Sequence, residues 1–512
     1  MNLSNNLQQK SKEELISLIG SLQETITKKN TFISNLRDEL ALAKHRHYGN
    51  KSEKVDPAQG MLFDEANTDN HTEVEAVDEE LTTVTYSRKK TNKTRALPKD
   101  LPRIERHHDI SEEDKVCDCG CMLERIGQDV TEQLDIIPAK VQVIQHIKYK
   151  YACKSCEQSV KTAKPKQPIE KSIASPGLLA HVMINKYQDY LPLYRQEQIF
   201  KRLNIDLARN TMANWMIKSG QLLTPIYNLL LDNINNYDIA FADETRAQVL
   251  SEPAREPEQK GYMWCFIGGP PDKRSYIYHY CSGRAHTTIE ELLPDFKGYL
   301  HCDGYSGYNA YAADHDCILV GCWAHVRRKF VEVTKAIKKS GIAHNIVALI
   351  SKLYAIERKL KSDKKSIDEI YQCRQKKAKP IIDKIGQALT DAANRVLPKS
   401  PIGQAITYAL NQWPKLIKYI EDGRCDIDNN RSERAIKPFV MGRKNWLFSQ
   451  SMKGVEASQI IYSLIETAKT HKLEPYDYLR FILDKMPYAN ELSDIEKLLP
   501  YNLTPEHIKP CR

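Results

Sequence analysis

The chain has 512 residues, is 41% hydrophobic and 28% charged, and carries a formal net charge of +9; it is too long for one ordinary core and reads as several folded units joined by linkers. No apolar run is long enough to cross a bilayer, and the polar first residues lack the apolar stretch of a secretory signal, so the sequence excludes a membrane protein and predicts a cytoplasmic one. Thirteen cysteines, an odd number scattered apart from one crowd, suit metal binding better than a disulfide framework.

Two interleaved seven-residue series run from Leu15 to Leu40: Ile19, Ile26, Ile33, Leu40 and Leu15, Leu22, Lys29, Leu36. Ile mostly at one seam position and Leu mostly at the other favour a parallel two-stranded coiled coil over residues 11–48, with Lys29 trading stability for register. A single amphipathic helix packed on its own domain is the alternative. Residues 49–105 read as a largely disordered linker. Residues 56–80 hold nine acids and no Lys or Arg, and the basic cluster Arg88, Lys89, Lys90, Lys93, Arg95 follows, without a hydrophobic period.

Within residues 106–165, Cys117, Cys119 and Cys121 precede, and Cys153-Lys-Ser-Cys156 follows, the stretch Val130 to Tyr151, whose apolar and β-branched residues predict a hairpin. Two cysteine knuckles joined by strands make a zinc ribbon, in which four thiolates enclose a structural Zn2+ and supply much of the folding energy. The expected ligands are Cys117, Cys119, Cys153 and Cys156, with Cys121 as the substitute; reduced cysteines without metal are the alternative. Residues 172–236 are helical by period. Gln196 to Leu203, a break at Asn204, and Ala208 to Lys218 fit a helix-turn-helix that would turn Arg209, Asn210, Asn214 and Lys218 toward a DNA groove, although any helical bundle contains such a pair.

From 239 to 322 the period becomes that of strands: Ile239 to Asp243, Tyr262 to Gly268, Tyr276 to Cys281, a helix near Thr287 to Leu293, Tyr299 to Asp303 and Ile318 to Cys322. That β-β-β-α-β-α-β order predicts a ribonuclease H-like mixed sheet within an α/β catalytic domain over 237–462. There the first and fourth strands lie parallel, and Asp243 and Asp303 end them. A third acid is expected from a later helix, and Asp428-Asn-Asn-Arg-Ser-Glu433 supplies Glu433 in a first turn. Glu433 has an ordinary reading as the partner of Asn430 in a capping box, and Asp426 or Asp428 compete with it for the role. Three converging carboxylates would hold two Mg2+ (or Mn2+) ions per active site for phosphodiester chemistry. Arg431, Arg434, Lys437, Arg443 and Lys444 with Trp446 interleaved suit phosphate pairing and base stacking, and a merely solvated face would not need the Trp. The 110 residues between Cys322 and Glu433 exceed a simple loop; Ile342 to Lys361 and Ser366 to Leu397 read as long helices of an insertion over about 337–425. Residues 463–512 read as a C-terminal helical segment.

His47-Tyr-Gly-Asn-Lys-Ser-Glu53, Ile126-Gly-Gln-Asp, Tyr151-Ala-Cys153, Ala242-Asp-Glu-Thr245, Asp303-Gly-Tyr-Ser-Gly-Tyr308, Asp428 through Trp446, Tyr476 to Leu479 and Leu498-Leu-Pro-Tyr501 span nearly the whole chain. Across them the sequence resembles transposases of the insertion sequence 66 family. The resemblance implies an Asp-Asp-Glu transposase that uses magnesium through Asp243, Asp303 and Glu433, with two accessory proteins encoded by the same element. Cys322-Trp-Ala-His325 matches a C-x-x-H signature shared by some transposases of this class, and would support the metal ligands from behind; a buried Cys and a helix-start His are its ordinary reading. The expected partners are the element's terminal repeats, target DNA and further copies of the chain. The competing readings are a silent DNA-binding regulator and a nuclease of the same fold acting on RNA–DNA hybrids.

Overall fold

The heptad-patterned segment forms one 37-residue helix, α1 (Lys12–Tyr48), in the computed structural model, which describes residues 12–48, 141–152, 160–162, 165–256, 258–336 and 341–509. Its seam residues Ile19, Leu22, Ile26, Ile33, Leu36 and Leu40 are each between 46% and 56% exposed. Residues 12–48 and 165–509 belong to one compact unit, and 141–152 with 160–162 to another. No helix among the described residues is long and apolar enough to cross a membrane.

In the smaller unit, β1 (Lys150–Ala152) pairs antiparallel with β2 (Val160–Thr162), Lys150 opposite Thr162 and Ala152 opposite Val160. Of the hairpin expected over Val130 to Tyr151, residues 130–140 lie outside the described residues. Residues 141–149 have no regular structure, and the strands pair across the Cys153–Cys156 knuckle, where a short connection costs little closure entropy. Cys117, Cys119, Cys121, Cys153 and Cys156 lie outside the described residues.

After α1, the larger unit continues with α2 (Pro176–Tyr187), α3 (Leu193–Arg202) and α4 (Arg209–Asn235). Ser175 caps α2 by accepting the Leu178 N–H at 3.1 Å. The break between α3 and α4 falls at Asn204, whose φ of 59° is one that Asn tolerates. Instead of stopping at Lys218, α4 runs on for 27 residues in all, because Met212, Trp215, Leu223, Ile226, Leu230 and Ile234 form a continuous buried stripe. That stripe joins the same core as the sheet that follows, so these helices are not a free-standing module.

The sheet comprises β3 (Ile239–Ser251), β4 (Lys260–Gly268), β5 (Ser275–Cys281), β6 (Gly298–His301) and β7 (Cys317–Val320), with α5 (His286–Leu292) before β6 and α6 (Gly307–Asp314) before β7. The spatial order is β5-β4-β3-β6-β7, antiparallel on the β4–β5 side and parallel between β3, β6 and β7. The first and fourth strands are therefore parallel neighbours, as the element order predicts. Gly298 (φ 126°) permits this pairing: a Cβ there would collide with the Asp238 backbone, whose carbonyl accepts the Tyr299 N–H at 2.8 Å. Two strand boundaries differ from expectation. β3 continues well past Asp243, because its second half pairs with β4 and, near Val249, with β8 (Ser449–Ser451). β6 and β7 stop at His301 and Val320, leaving Asp303 and Cys322 just beyond them.

After β7 come α7 (Trp323–Ala336) and the helical insertion: α8 (Ile342–Ser362), α9 (Ile367–Cys373), α10 (Lys379–Ala393) and α11 (Pro401–Leu416). The single helix expected from Ser366 to Leu397 is interrupted by a π-turn at Arg374–Ala378, which directs Arg374 inward. The chain returns through α12 (Asn430–Trp446) and β8 to α13 (Met452–Thr470), then α14 (Pro475–Lys485), α15 (Leu492–Glu496) and α16 (Pro505–Ile508). The boundary expected at 462/463 falls inside α13. That helix covers the free edge of β5: Gln459, Ser463 and Thr467 accept the backbone N–H groups of Tyr280, Tyr278 and Tyr276 at 2.8, 2.8 and 3.0 Å. Four helical residues advance about 6.0 Å and two strand residues about 6.7 Å, so an i, i+4, i+8 row of acceptors stays in step with an edge strand.

Candidate active site

Asp243 and Asp303 meet because of the β3–β6 register. Phe241 lies opposite His301, and two residues further on, past the end of β6, the chain brings the two aspartates alongside each other. Each has one oxygen fixed by backbone: Asp243 Oδ1 accepts the Glu244 N–H at 2.9 Å and Asp303 Oδ1 the Tyr305 N–H at 2.9 Å. The buried Asn429 joins α12 to this point, donating from Nδ2 to the Ala242 carbonyl at 2.9 Å and from its backbone N–H to Cys322 Sγ at 3.2 Å. Glu433, in the first turn of α12, is thereby carried to the aspartates with its side chain 9% exposed. Burial pushes the Asp243 carboxyl well above the usual carboxylate range, and the charges of Glu244, Asp303 and Glu433 push it further. Like charges confined in low dielectric repel in this way unless a cation joins them.

The ordinary readings of the third acid separate cleanly. The N-cap of α12 is Asn429, and it makes no side-chain capping bond. Asn430 instead donates to Asp428 Oδ2 at 2.8 Å, so no capping box engages Glu433. Asp428 also accepts the Tyr354 hydroxyl at 2.9 Å, and Asp426 is paired with Arg431 at 2.9 Å. Glu433 is different: its Oε1 is buried without a hydrogen bond. Nearby lie His325 Nδ1, 3.4 Å from Oε1, and Arg328 Nη2, 3.5 Å from Oε2. Cys322 Sγ, a His325 ring nitrogen and a Glu433 oxygen all lie within 4.8 Å of one another. Burial lowers the His325 pKa, opposed by the charge of Glu433, which favours the neutral imidazole. Carboxylate oxygens with an orphaned buried acceptor among them fit a hard divalent cation.

Several residues of this site carry no signal in the sequence. Glu244 is visible only as the neighbour of Asp243, yet its side chain is 2% exposed. It is ion-paired to Arg284 and accepts the Tyr308 hydroxyl at 2.9 Å. Burial and the charge of Asp303 raise its pKa, while Arg284 and Tyr308 oppose the rise. Arg284 stacks 3.8 Å from the centre of the Tyr305 ring, and the Tyr305 hydroxyl donates to the Arg284 carbonyl. Arg284 follows β5 in a loop with no pattern to mark it. Arg328 had a weak signal, since it lies three residues after His325 and so on the same helix face.

The expected DNA-contacting residues fall into separate groups. Arg209, Asn210, Asn214 and Lys218 are all exposed on α4. On α12, Arg434 and Lys444 are exposed and Lys437 and Arg443 half-buried, with Arg443 Nη1 3.4 Å from Thr245 Oγ1. Arg431 is held by Asp426 and lies 5.0 Å from the centre of the Phe241 ring. Trp446 corrects the argument made for it: it is half-buried and packs edge-on against Tyr187 with ring centres 6.4 Å apart. A packing role accounts for it without a base to stack on.

Comparison with known proteins gives this geometry its context. Residues 171–457 match the model described as "Transposase IS66 family", and residues 114–157 the "zinc-finger binding domain of transposase IS66". Residues 35–106 match "Transposase C of IS166 homeodomain" and 463–501 the "IS66 C-terminal element". The chain is 31% identical over 504 residues to the uncharacterized protein y4jD of Sinorhizobium fredii (strain NBRC 101917 / NGR234), covering 94% of this chain and 97% of that one. It is 30% identical over 506 residues to y4qI of the same strain, covering 94% and 90%. With the sheet and the acid cluster both inside the first of these segments, the chain belongs to the IS66 family of transposases.

Proposed function

We propose that the chain is the strand-cleaving and strand-joining enzyme of an insertion sequence, working through Asp243, Asp303 and Glu433 in a ribonuclease H-like domain. The observation that carries this reading is Asp243, which burial, Glu244 and the charges of Asp303 and Glu433 together push toward its neutral form. Beside it, a buried oxygen of Glu433 has no hydrogen-bond partner. The strand order, with its parallel central pair, supports the fold assignment.

In this reading the three acids hold two Mg2+ (or Mn2+) ions, which when bound supply charge neutralisation for an in-line displacement at phosphorus. The protein's own groups do the positioning. The Glu244 and Tyr305 N–H groups fix one oxygen of each aspartate. Asn429 holds the start of α12 against β3, so Glu433 is placed by two hydrogen bonds before any substrate arrives. Arg284 neutralises Glu244, removing one negative charge from the path of a phosphodiester. Arg434, Lys437, Arg443 and Lys444 pair with the DNA backbone. Water attacks the phosphodiester at the element's end and releases a 3'-hydroxyl, and that hydroxyl then attacks target DNA. Cys117 or Cys121 with Cys119, Cys153 and Cys156 hold a structural Zn2+, α1 pairs with a second copy through its half-exposed seam, and α4 contacts DNA through Arg209, Asn210, Asn214 and Lys218.

The test is cleavage of a labelled DNA carrying the element's end, with magnesium and the element's accessory proteins present. Nicking and joining by the wild type, lost in Asp303→Ala while DNA is still retained, are the expected results. DNA retention without cleavage by the wild type would make the protein a silent regulator, and cleavage without joining would make it a nuclease.

A further inference from the structure

Cys322, His325 and Glu433 come from two elements that the fold locks together at their starts. Cys322 immediately precedes α7 and His325 lies in its first turn; Glu433 lies in the first turn of α12. The Asn429 N–H bound to Cys322 Sγ at 3.2 Å ties one start to the other. Residues three apart at a helix start share a face, so the thiol and the imidazole approach the carboxylate from the same side. The three donor atoms lie within 4.8 Å of one another, close to the roughly 4.6 Å that spans opposite ligands of one ion at metal–ligand distances of about 2.0–2.3 Å.

An ion pair alone does not account for this arrangement. Arg328 stands 3.5 Å from Glu433 Oε2, but Oε1 and His325 Nδ1 are both buried and neither forms a hydrogen bond, although they are 3.4 Å apart. Two orphaned buried atoms facing each other beside a thiol lack a common partner.

We infer that Cys322, His325 and Glu433 form one mixed-donor cation site, so that the Glu433 end of the acid cluster takes a borderline divalent ion such as Mn2+, Co2+ or Zn2+ more readily than Mg2+. The inference rests on the reading of the acids as cation ligands and deepens it. Carboxylates alone suit Mg2+ and Mn2+, whereas imidazole and thiolate favour the later transition metals. Asp243 and Asp303 then make the hard half of the centre and the Glu433 side the softer half.

The probe is Mn2+ added to the full-length protein with its zinc complement intact, since Mn2+ sits at the weak end of the affinity series and leaves thiolate-bound zinc in place. Electron spin echoes of the bound Mn2+ are expected to show coupling to an imidazole nitrogen in the wild type. That coupling disappears in His325→Ala, and Mn2+ affinity falls about tenfold or more. His325→Gln is the second variant, used if the alanine protein melts early. Cd2+ displacing this Mn2+ signal tests Cys322: in Cys322→Ser the Cd2+ needed rises about tenfold or more, with Mn2+ affinity nearly unchanged. Mn2+ bound by oxygen ligands alone, displaced by Cd2+ equally from wild type and Cys322→Ser, overturns the inference and leaves the acid-cluster reading standing. Failure of the wild type to bind Mn2+ any better than the triple variant Asp243→Asn, Asp303→Asn, Glu433→Gln removes both.

Discussion

Arg374 is buried and Asp243 half-buried, both in the larger unit, yet one is surrounded by partners and the other by repulsion. The Arg374 guanidinium, 3% exposed, donates to both oxygens of Glu357 at 2.9 and 2.7 Å. It also donates to the carbonyls of Tyr419, Asp422 and Cys425 at 2.8, 2.8 and 2.9 Å. Its charge-bearing fork is fully used, and the insertion is tied to the loop that leads into α12. Asp243 has one backbone N–H and three neighbouring acids. A chain that can satisfy one buried charge so completely leaves another frustrated only where something from outside completes it. The difference separates architecture from site.

The largest effects should fall where that frustration is removed together with its chemistry. Glu433→Gln preserves shape and burial but deletes the charge, and strand cleavage should drop by about 10³-fold or more, measured as single-turnover product formation. Asp428→Asn, which keeps the oxygen that accepts the Tyr354 hydroxyl and Asn430 Nδ2, should cost less than a tenth of that loss. Equal losses would erase the distinction drawn between the two acids. Arg374→Ala works through folding instead. Removing one member of a buried, hydrogen-bonded pair costs about 3–5 kcal/mol, read from denaturant unfolding, while Mn2+ binding by the protein that remains folded stays unchanged. Arg374→Lys keeps the charge but not the fork and should recover only part of the loss.

Much of this contrast was legible in the sequence, but unevenly. The strand order and the two aspartates followed from period and position, because a sheet's register translates directly into which residues end up side by side. Glu433 was legible as a candidate only, since a helix-start glutamate is chemically the same whether it caps a helix or binds a cation; the bonds that occupy Asp426, Asp428 and Asn430 separate the readings. Arg374 lay hidden inside what reads as one long Lys-rich helix, because a π-turn has no compositional signature. Glu244 with Arg284 was hidden for another reason: a pair 40 residues apart is made by the tertiary fold and leaves no local pattern. Trp446 has two readings in the sequence, since an aromatic among basic residues looks the same whether it waits for a base or packs on Tyr187.

A smaller effect runs opposite in sign to that of Arg374→Ala. The Asp243 pKa is raised in the folded state, so the folded protein binds that proton more tightly than the unfolded chain. The associated stability is fully present below the ordinary Asp value of about 4 and is lost as pH rises through the folded value. Asp243→Asn should therefore raise the melting temperature of the metal-free protein at pH 7, by about 2 °C or more, and the gain should shrink as pH is lowered toward 4. Saturating Mn2+ should stabilise the wild type more than the variant. A lower melting temperature in Asp243→Asn would mean that the carboxylate is already satisfied within the chain.

The smallest expected effect belongs to a neutral version of the Arg374 arrangement, the row of Gln459, Ser463 and Thr467 along β5. Here the satisfied groups are backbone N–H donors at a sheet edge, and the partners are uncharged side chains on α13. Thr467→Val keeps the volume and the branched shape and removes the hydroxyl, which also donates to the Tyr276 carbonyl at 3.4 Å, leaving the Tyr276 N–H half-buried and unpaired. The cost should be about 1–2 kcal/mol, the penalty for an unmet donor, and larger for Ser463→Ala, whose partner Tyr278 is fully buried. Amide exchange at Tyr276 and Tyr278 reports the loss site by site, and should accelerate in each variant at its own partner first. Uniform acceleration along β5 in either variant would show that α13 protects the edge by covering it, with the individual bonds contributing little. Neither variant should alter Mn2+ binding, because the row lies across the sheet from the acids, separated from β3 by β4.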